Sequence, residues 1–342
     1  MKTFGNLLMV LFCLLFLQGT AVAVLGVADD VPGQDVVFPI ICGVNASAPL
    51  NTSWAIAEVV GGTPDLSGNV AHAAVILFNT RSQAVHDYTN VWTKFDVVTD
   101  DCKTLINTLS ASSKNMLQTT INGVAYYVGY LNFLQEPAGE NPLANRFVGW
   151  VSVDDQLTGT GFKPFQAEGG IGPNFEEDGV PVNAKTFFFR FAIDNNVSYN
   201  WWIILSRIQS ETNPGLTRTV QLQGFICNET EDCVSVVIPL PNELNIINVA
   251  SYLPGAPLFA GYPKRGFAML DLVVHDVTLS AQTTYTPSNV STFAWSYLHN
   301  CTQPFFNPIF KSSLCLRAKA SMYPADRLYF ENIIGILPGL PQ

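Results

Sequence analysis

The chain has 342 residues and a formal net charge of −10 at pH 7, from 27 Asp+Glu against 17 Lys+Arg. That balance argues against nucleic acid and anionic membrane surfaces as partners. Only 13% of the residues are charged and the mean hydropathy is +0.23, so solubility must come from attached glycans or apolar surface must be hidden in an assembly.

The chain opens with Met1-Lys2, an apolar run from Leu7 to Leu17, and Ala21-Val22-Ala23. One positive charge, a short h-region and a small-residue site read as a secretory signal peptide over residues 1–23. The run is too short for a bilayer span, which takes about 20 apolar residues. No later segment reaches 18 uncharged apolar residues, and the apolar tail 332–342 is short and broken by prolines, unlike a GPI signal. The expected product is secreted and extracellular, with no transmembrane anchor.

Residues 24–156 read as an N-terminal β-rich domain with one helix. Strands are predicted over 35–41, 54–60 and 71–78, with turn chemistry at Gly61-Gly62-Thr63-Pro64-Asp65. Helical spacing of Leu105, Ile106, Leu109, Met116 and Leu117 predicts one helix near residues 100–118, capped by Asp100 or Thr99. Aromatic and β-branched residues then predict strands over 123–131 and 146–153. Residues 157–183, rich in Gly and Pro, read as a linker or long loop.

Residues 184–342 read as a C-terminal antiparallel β domain. Phe187, Phe189, Phe191 and Ile193 alternate with Phe188, Arg190 and Ala192. Asp194-Asn195-Asn196 turns the chain, and Ser198–Leu205 (SYNWWIIL) is expected to return as its hairpin partner. Trp201, Ile203 and Leu205 fall on one face of that strand and Trp202 and Ile204 on the other. Both faces are apolar, which predicts a central strand covered on both sides rather than an exposed sugar platform. Further strands are expected over 218–226, 234–240, 266–280 and 328–336. The fold class is mainly β, an antiparallel β-sandwich or barrel-like set of sheets.

Six cysteines remain after the leader, an even number that implies disulfides in an oxidising compartment. Local pairing favours Cys227 with Cys233 and Cys301 with Cys315, which leaves Cys42 with Cys102. Acceptor triplets for N-glycosylation occur at Asn45, Asn51, Asn196, Asn228, Asn289 and Asn300, against about three from composition alone. Each lies in or beside a predicted turn, and most are expected to carry a glycan.

Catalytic signals are sparse. His72, His86, His275 and His299 are widely separated, and no spacing predicts a metal or cofactor site. Asp29-Asp30, Asp100-Asp101, Asp154-Asp155 and Glu176-Glu177-Asp178 do not follow a calcium-loop pattern. No G-x-S-x-G, H-E-x-x-H, phosphate-binding loop or dinucleotide fingerprint is present. These features favour a non-enzymatic, glycosylated protein that acts by binding or assembly: a matrix or coat component, an adhesion protein or a cell–cell signal. Its partner would be an extracellular protein, a carbohydrate or a second copy of the chain. Two alternatives remain: a polysaccharide hydrolase with carboxylates from 154–178, such as Asp154, Asp155, Glu176 and Glu177, and a β-barrel carrier of an apolar ligand, suggested by 23 Phe.

Overall fold

A computed structural model describes residues 35–46, 48–136, 146–155, 165–166, 168–170, 176–177, 180–181, 186–196, 198–208, 220–255, 258–274, 290–299, 306–307, 312–313, 320–324 and 326–328. The predicted leader lies outside these residues, as do Asp29-Asp30, His275, Asn289, Asn300, Cys301, Cys315 and nearly all of the strand expected over 328–336.

The first half supplies β1 (Asp35–Gly43), β2 (Leu50–Glu58), β3 (Ala71–Phe78), β4 (Ala84–Trp92) and β5 (Val97–Asp101). Helices α1 (Cys102–Thr108) and α2 (Ala111–Leu117) follow, then β6 (Gln118–Ile121), β7 (Val124–Glu136), β8 (Phe147–Asp155), β9 (Phe165–Gln166) and β10 (Glu168–Gly170). A ribbon of β11 (Glu176–Glu177) and β12 (Val180–Pro181) precedes β13 (Thr186–Ile193), β14 (Tyr199–Ile208), β15 (Val220–Asn228), β16 (Cys233–Pro239), β17 (Leu244–Asn248) and β18 (Lys264–Val274). The last elements are β19 (Val290–His299), the ribbon of β20 (Phe306–Asn307) and β21 (Ser312–Ser313), β22 (Ala320–Pro324) and β23 (Asp326–Leu328).

These strands form four open antiparallel sheets. Their orders are β10-β1-β7-β3-β4, with β6 also on β7; β5-β2-β8-β9; β17-β14-β19-β22; and β16-β15-β18-β13-β23. Part of the Gly/Pro-rich segment thus stays with the first half, β9 pairing with β8 and β10 with β1.

The sheets pack face to face around two cores. Phe38 on β1, Trp54 on β2, and Trp92, Phe133 and Phe147 fill the space between the first two sheets. Phe187, Phe189 and Phe191 of β13 meet Trp202 and Ile204 of β14 in the other core. Phe189 stacks on Trp202 with ring centroids 4.7 Å apart. The opposite face of β14 belongs to the first core, since Trp201, Ile203 and Leu205 cluster with residues of the first half. Trp201 meets Tyr126 of β7 edge-on at 6.1 Å. The Leu244 N–H donates to the Thr80 carbonyl at 3.0 Å, and the Asn248 amide donates to Asn122 Oδ1 at 3.3 Å. The two Trp side chains are 1% and 0% exposed, so both faces of the strand are covered.

Two expectations are corrected in detail. β13 and β14 are not hairpin partners: β14 pairs with β17 and β19, and β13 with β18 and β23. The turn at Asp194–Asn196 steps between layers, because aromatic rows on both strands bury more apolar area face to face than side by side in one sheet. The helical segment is two helices rather than one. Leu109 and Ser110 are extended, and Ser110 Oγ accepts the Ser113 N–H to start α2. A serine that caps competes with helix continuation. The cap of α1 is Asp101, not Asp100 or Thr99: its carboxylate accepts from the Thr104 N–H and hydroxyl.

Two outcomes follow. Trp202→Ala should lower unfolding free energy by about 3–5 kcal/mol in chemical denaturation; a loss below about 1 kcal/mol would refute burial of that face. Burial pushes the Asp101 carboxyl up, but hydrogen bonds from Thr104, Asn51 and the Lys103 N–H outweigh it and hold the group below its usual range. Its contribution is therefore present above the unfolded value of about 3.9 and is lost as pH falls through the folded value. Asp101→Asn should flatten that acid limb of the stability profile: denaturation at neutral pH should show the variant less stable than the parent, and the two should converge at low pH.

Candidate functional site

Among the described residues there are two disulfides, Cys42–Cys102 and Cys227–Cys233. The first ties β1 to the start of α1 with both residues fully buried. The second crosses the β15–β16 hairpin, where the two residues are register partners. Both are compatible with an extracellular protein.

The acceptor asparagines differ sharply. Asn45 and Asn196 are exposed, and Asn228 is half-buried at the β15–β16 turn. Asn51 is 7% exposed, and its Nδ2, the atom a glycan would occupy, donates to Asp101 Oδ1 at 3.1 Å. Its Oδ1 accepts the Lys103 N–H at 3.2 Å. Asn51 therefore braces the start of α1 through both polar atoms of its side-chain amide.

The histidines do not converge among the described residues. His72 on β3 sits opposite Val91, and His86 on β4 opposite Leu77, which separates them by about 17 Å along the ladder. His72 Nε2 lies 2.7 Å from Asp65 Oδ2. Asp65 also accepts the Ser67 hydroxyl and the Ser67 and Asn69 N–H groups. The Ser67 hydrogen bond leads the set that lowers its pKa to about 2. This is a self-contained turn brace, in which the imidazole is paired with the Asp65 carboxylate. His86 packs beside Tyr88. Burial, with Asp100 nearby, pushes the Tyr88 phenol up, and burial likewise raises Asp100. Among the described residues, no three His, Cys, Asp or Glu converge to hold a metal ion. The side chains of Asp154, Asp155, Glu176, Glu177 and His299 lie outside the described residues.

A different constellation stands at one end of the first two sheets. β2 ends at Glu58, and the chain runs on through Val59, Val60, Gly61 and Gly62. Beside it, the turn Thr93–Asp96 joins β4 to β5. Val60, Phe95, Val97 and Val59 are 52%, 61%, 49% and 36% exposed. Large apolar side chains grouped in this way mark interaction surfaces.

One buried carboxylate organises this end. Glu58 is 1% exposed. Its Oε1 accepts the Gly61 N–H at 2.7 Å and its Oε2 accepts the Phe95 N–H at 3.4 Å. The Glu58 N–H in turn donates to the Asp96 carbonyl at 3.1 Å. Gly61 has φ +69° and lies against the Lys94 stem, while a side chain at Gly62 would run into the guanidinium of Arg146. The Val59 N–H donates to the Arg146 carbonyl, and Arg146 Nη1 donates to the Val70 carbonyl at 2.8 Å.

Phe95 is held at φ +60°. It occupies the third position of its turn, where positive φ favours Gly or Asn. A bulky residue there carries backbone strain of about 1–2 kcal/mol, and its ring, 61% exposed, recovers little of that by burial. The Lys94 ammonium lies 5.2 Å from the ring centroid. Strain of this kind concentrates at ligand clamps and binding loops.

Sequence reading missed this end. Val59 and Val60 continue a strand pattern, and Phe95 stands alone between Lys94 and Asp96. The available signal was a Val-Val pair run directly into Gly-Gly. A scan against protein-family models finds no match for the chain, and a search of curated proteins finds no relative.

Phe95→Gly should raise unfolding free energy by about 1 kcal/mol, because glycine adopts this φ without strain. Glu58→Ala should lower it by about 1–3 kcal/mol and speed amide exchange at Gly61 and Phe95. Unchanged exchange at both amides would show that Glu58 does not hold the turns.

Proposed function

We propose that this is a secreted, N-glycosylated, non-enzymatic protein that works by binding an extracellular protein partner through the end built by Val59, Val60, Phe95 and Val97. The observation that carries this reading is the strained, exposed Phe95 held by a buried carboxylate. A turn kept at an energetic cost with its ring in water suits adhesion or assembly, where the partner supplies the missing burial. The two disulfides and the leader-like residues 1–23 support the extracellular setting. Among the described residues, no helix is long and apolar enough to cross a membrane.

The same proposal includes glycans at Asn45, Asn196, Asn228, Asn289 and Asn300, without Asn51, and a third disulfide between Cys301 and Cys315. It also includes the division into 24–156, a connector at 157–183, and 184–342, with the cores meeting at β14.

Two measurements test it. Protein recovered from the medium of secreting cells should lose several glycans on enzymatic removal, with Asn51 unmodified in a peptide mass map; protein retained in cells without glycans would overturn the secretory part. A photo-crosslinker at Val60 should capture a partner from native extracellular fluid. Phe95→Asp should abolish that capture while keeping the melting temperature within a few degrees; capture unaffected by Phe95→Asp would remove this end as the binding surface.

A further inference from the structure

β16 (Cys233–Pro239) ends the sheet β16-β15-β18-β13-β23, and among the described residues no strand lies on its other side. The ladder with β15 fixes what that edge presents. The Asn228 N–H donates to the Asp232 carbonyl at 3.0 Å, and the Leu240 N–H donates to the Val220 carbonyl at 2.8 Å. Between these two bonds the register runs unbroken, from Gln221↔Pro239 to Cys227↔Cys233. Bonded and unbonded pairs alternate in an antiparallel ladder, so Val234, Val236 and Ile238 exchange hydrogen bonds with β15. The N–H and C=O groups of Cys233, Ser235 and Val237 point away from the sheet. A row of this kind is a template for one more strand.

The side chains at this edge are also incompletely covered. Val234 and Val236 pack against the second core yet stay half-buried. On the opposite face Val237 is 56% exposed, and Phe225, the register partner of Ser235, is 38% exposed. Sheet edges are ordinarily guarded by charge, bulges or proline. β4 carries His86 and Asp87, and β5 carries Asp100 and Asp101. β16 has no charged residue, and its one proline closes the strand.

The sequence of β16 selects the occupant. Val234 and Val236 stand symmetrically about Ser235. A second copy, antiparallel and related by a twofold axis through Ser235, sets Ser235 against Ser235, Cys233 against Val237 and Val234 against Val236. The outward N–H and C=O groups of Cys233, Ser235 and Val237 are then all bonded, and the run stops at Pro239, which has no N–H to offer. The Val234–Val236 pairs fall at unbonded positions, where facing side chains lie closest, and carry the core across the joint. Glu231 and Asp232 of one copy reach Pro239 and Ile238 of the other, so no acid meets an acid along the ladder. That condition matters in a chain of net charge −10, whose copies repel elsewhere. Asn228 belongs to β15, one strand in from the edge, so a glycan on it leaves the ladder open.

We infer that two copies of this chain join β16 to β16, fusing two five-stranded sheets into one of ten strands. One short ladder buries less than a standard interface, so the dimer is reversible and forms with rising concentration. The inference does not rest on the apolar end or its protein partner, and either can fail without the other.

The test is sedimentation velocity of the full mature secreted chain over a concentration series. The parent should pass from monomer to dimer, and added salt should favour the dimer by screening repulsion between the acidic copies. Over the same series, amide exchange at Cys233, Ser235 and Val237 should slow, while Val234 and Val236 are already protected in the monomer. Ser235→Lys and Ser235→Glu each place like charges across the axis and should weaken the dimer by about tenfold or more. An equimolar mixture of the two variants should associate again, and Phe95→Asp should leave the dimer intact. The exchange readout needs no variant and decides the matter if neither folds. A parent that stays monomeric up to its solubility limit, unchanged exchange at all three amides, a dimer indifferent to both Ser235 changes, no recovery in the mixture of folded variants, or a dimer abolished by Phe95→Asp would each overturn the joint. A monomeric parent whose three edge amides slow only in native extracellular fluid would overturn it too, and would assign the edge to a foreign strand.

Discussion

β14 carries apolar side chains on both faces, and the two faces belong to different cores. Trp201 packs toward Tyr126 and the sheets of the first half; Trp202 packs toward Phe189 and Phe191. Burying one aromatic side chain removes about 150–250 Å² from water, so adjacent tryptophans place a large share of two cores on one strand. Neither half closes its core alone. The sheet that holds β14 would expose Trp201, Trp295 and Tyr297 if the first half were absent. The end that bears Phe95 is built on strands that contribute Ile56 and Trp92 to that first core, and its strained turn persists because the framework below it is packed.

The residues from 187 to 205 show how much of this was legible. Alternation assigns each side chain to a face, so two-sided burial of β14 could be read directly. Alternation does not say which strand lies alongside. A three-residue turn suggested a hairpin, whereas the aromatic rows on β13 and β14 meet face to face across a core. The same limit applies to Asn51. Its triplet is chemically complete, but its amide is consumed by Asp101 and Lys103, pairings that sequence cannot reveal. Ser110 did carry a readable cap signal, which the apolar spacing around it masked.

The apolar end was opaque for a related reason. A valine in a strand pattern signals burial, and Val59 and Val60 follow such a pattern to the point where the chain leaves the sheet. What distinguishes them is the carboxylate below, since Glu58 is covered and its oxygens face the N–H groups of two separate turns. A buried charge is tolerated when hydrogen bonds replace its water. The arrangement holds two loops with one side chain, so neither loop needs side chains of its own packed beneath it.

The ladders also bear on how fast the chain reaches this state. β1 pairs with β7, β2 with β8, β14 with β19 and β13 with β23, partners separated by some 80 to 140 residues. Such nonlocal pairing gives a high contact order, and loop-closure entropy must be met before the distant strands reward it. The ribosome delivers β14 and its neighbour β17 well before β19, leaving one edge of the strand that bears Trp201 and Trp202 unpaired in the nascent chain. During that interval the strand is an uncapped apolar edge, the kind of surface that chaperones hold and that aggregates form on. The segment that makes the finished protein cohesive is thus the one most exposed to misassembly while the protein is being made.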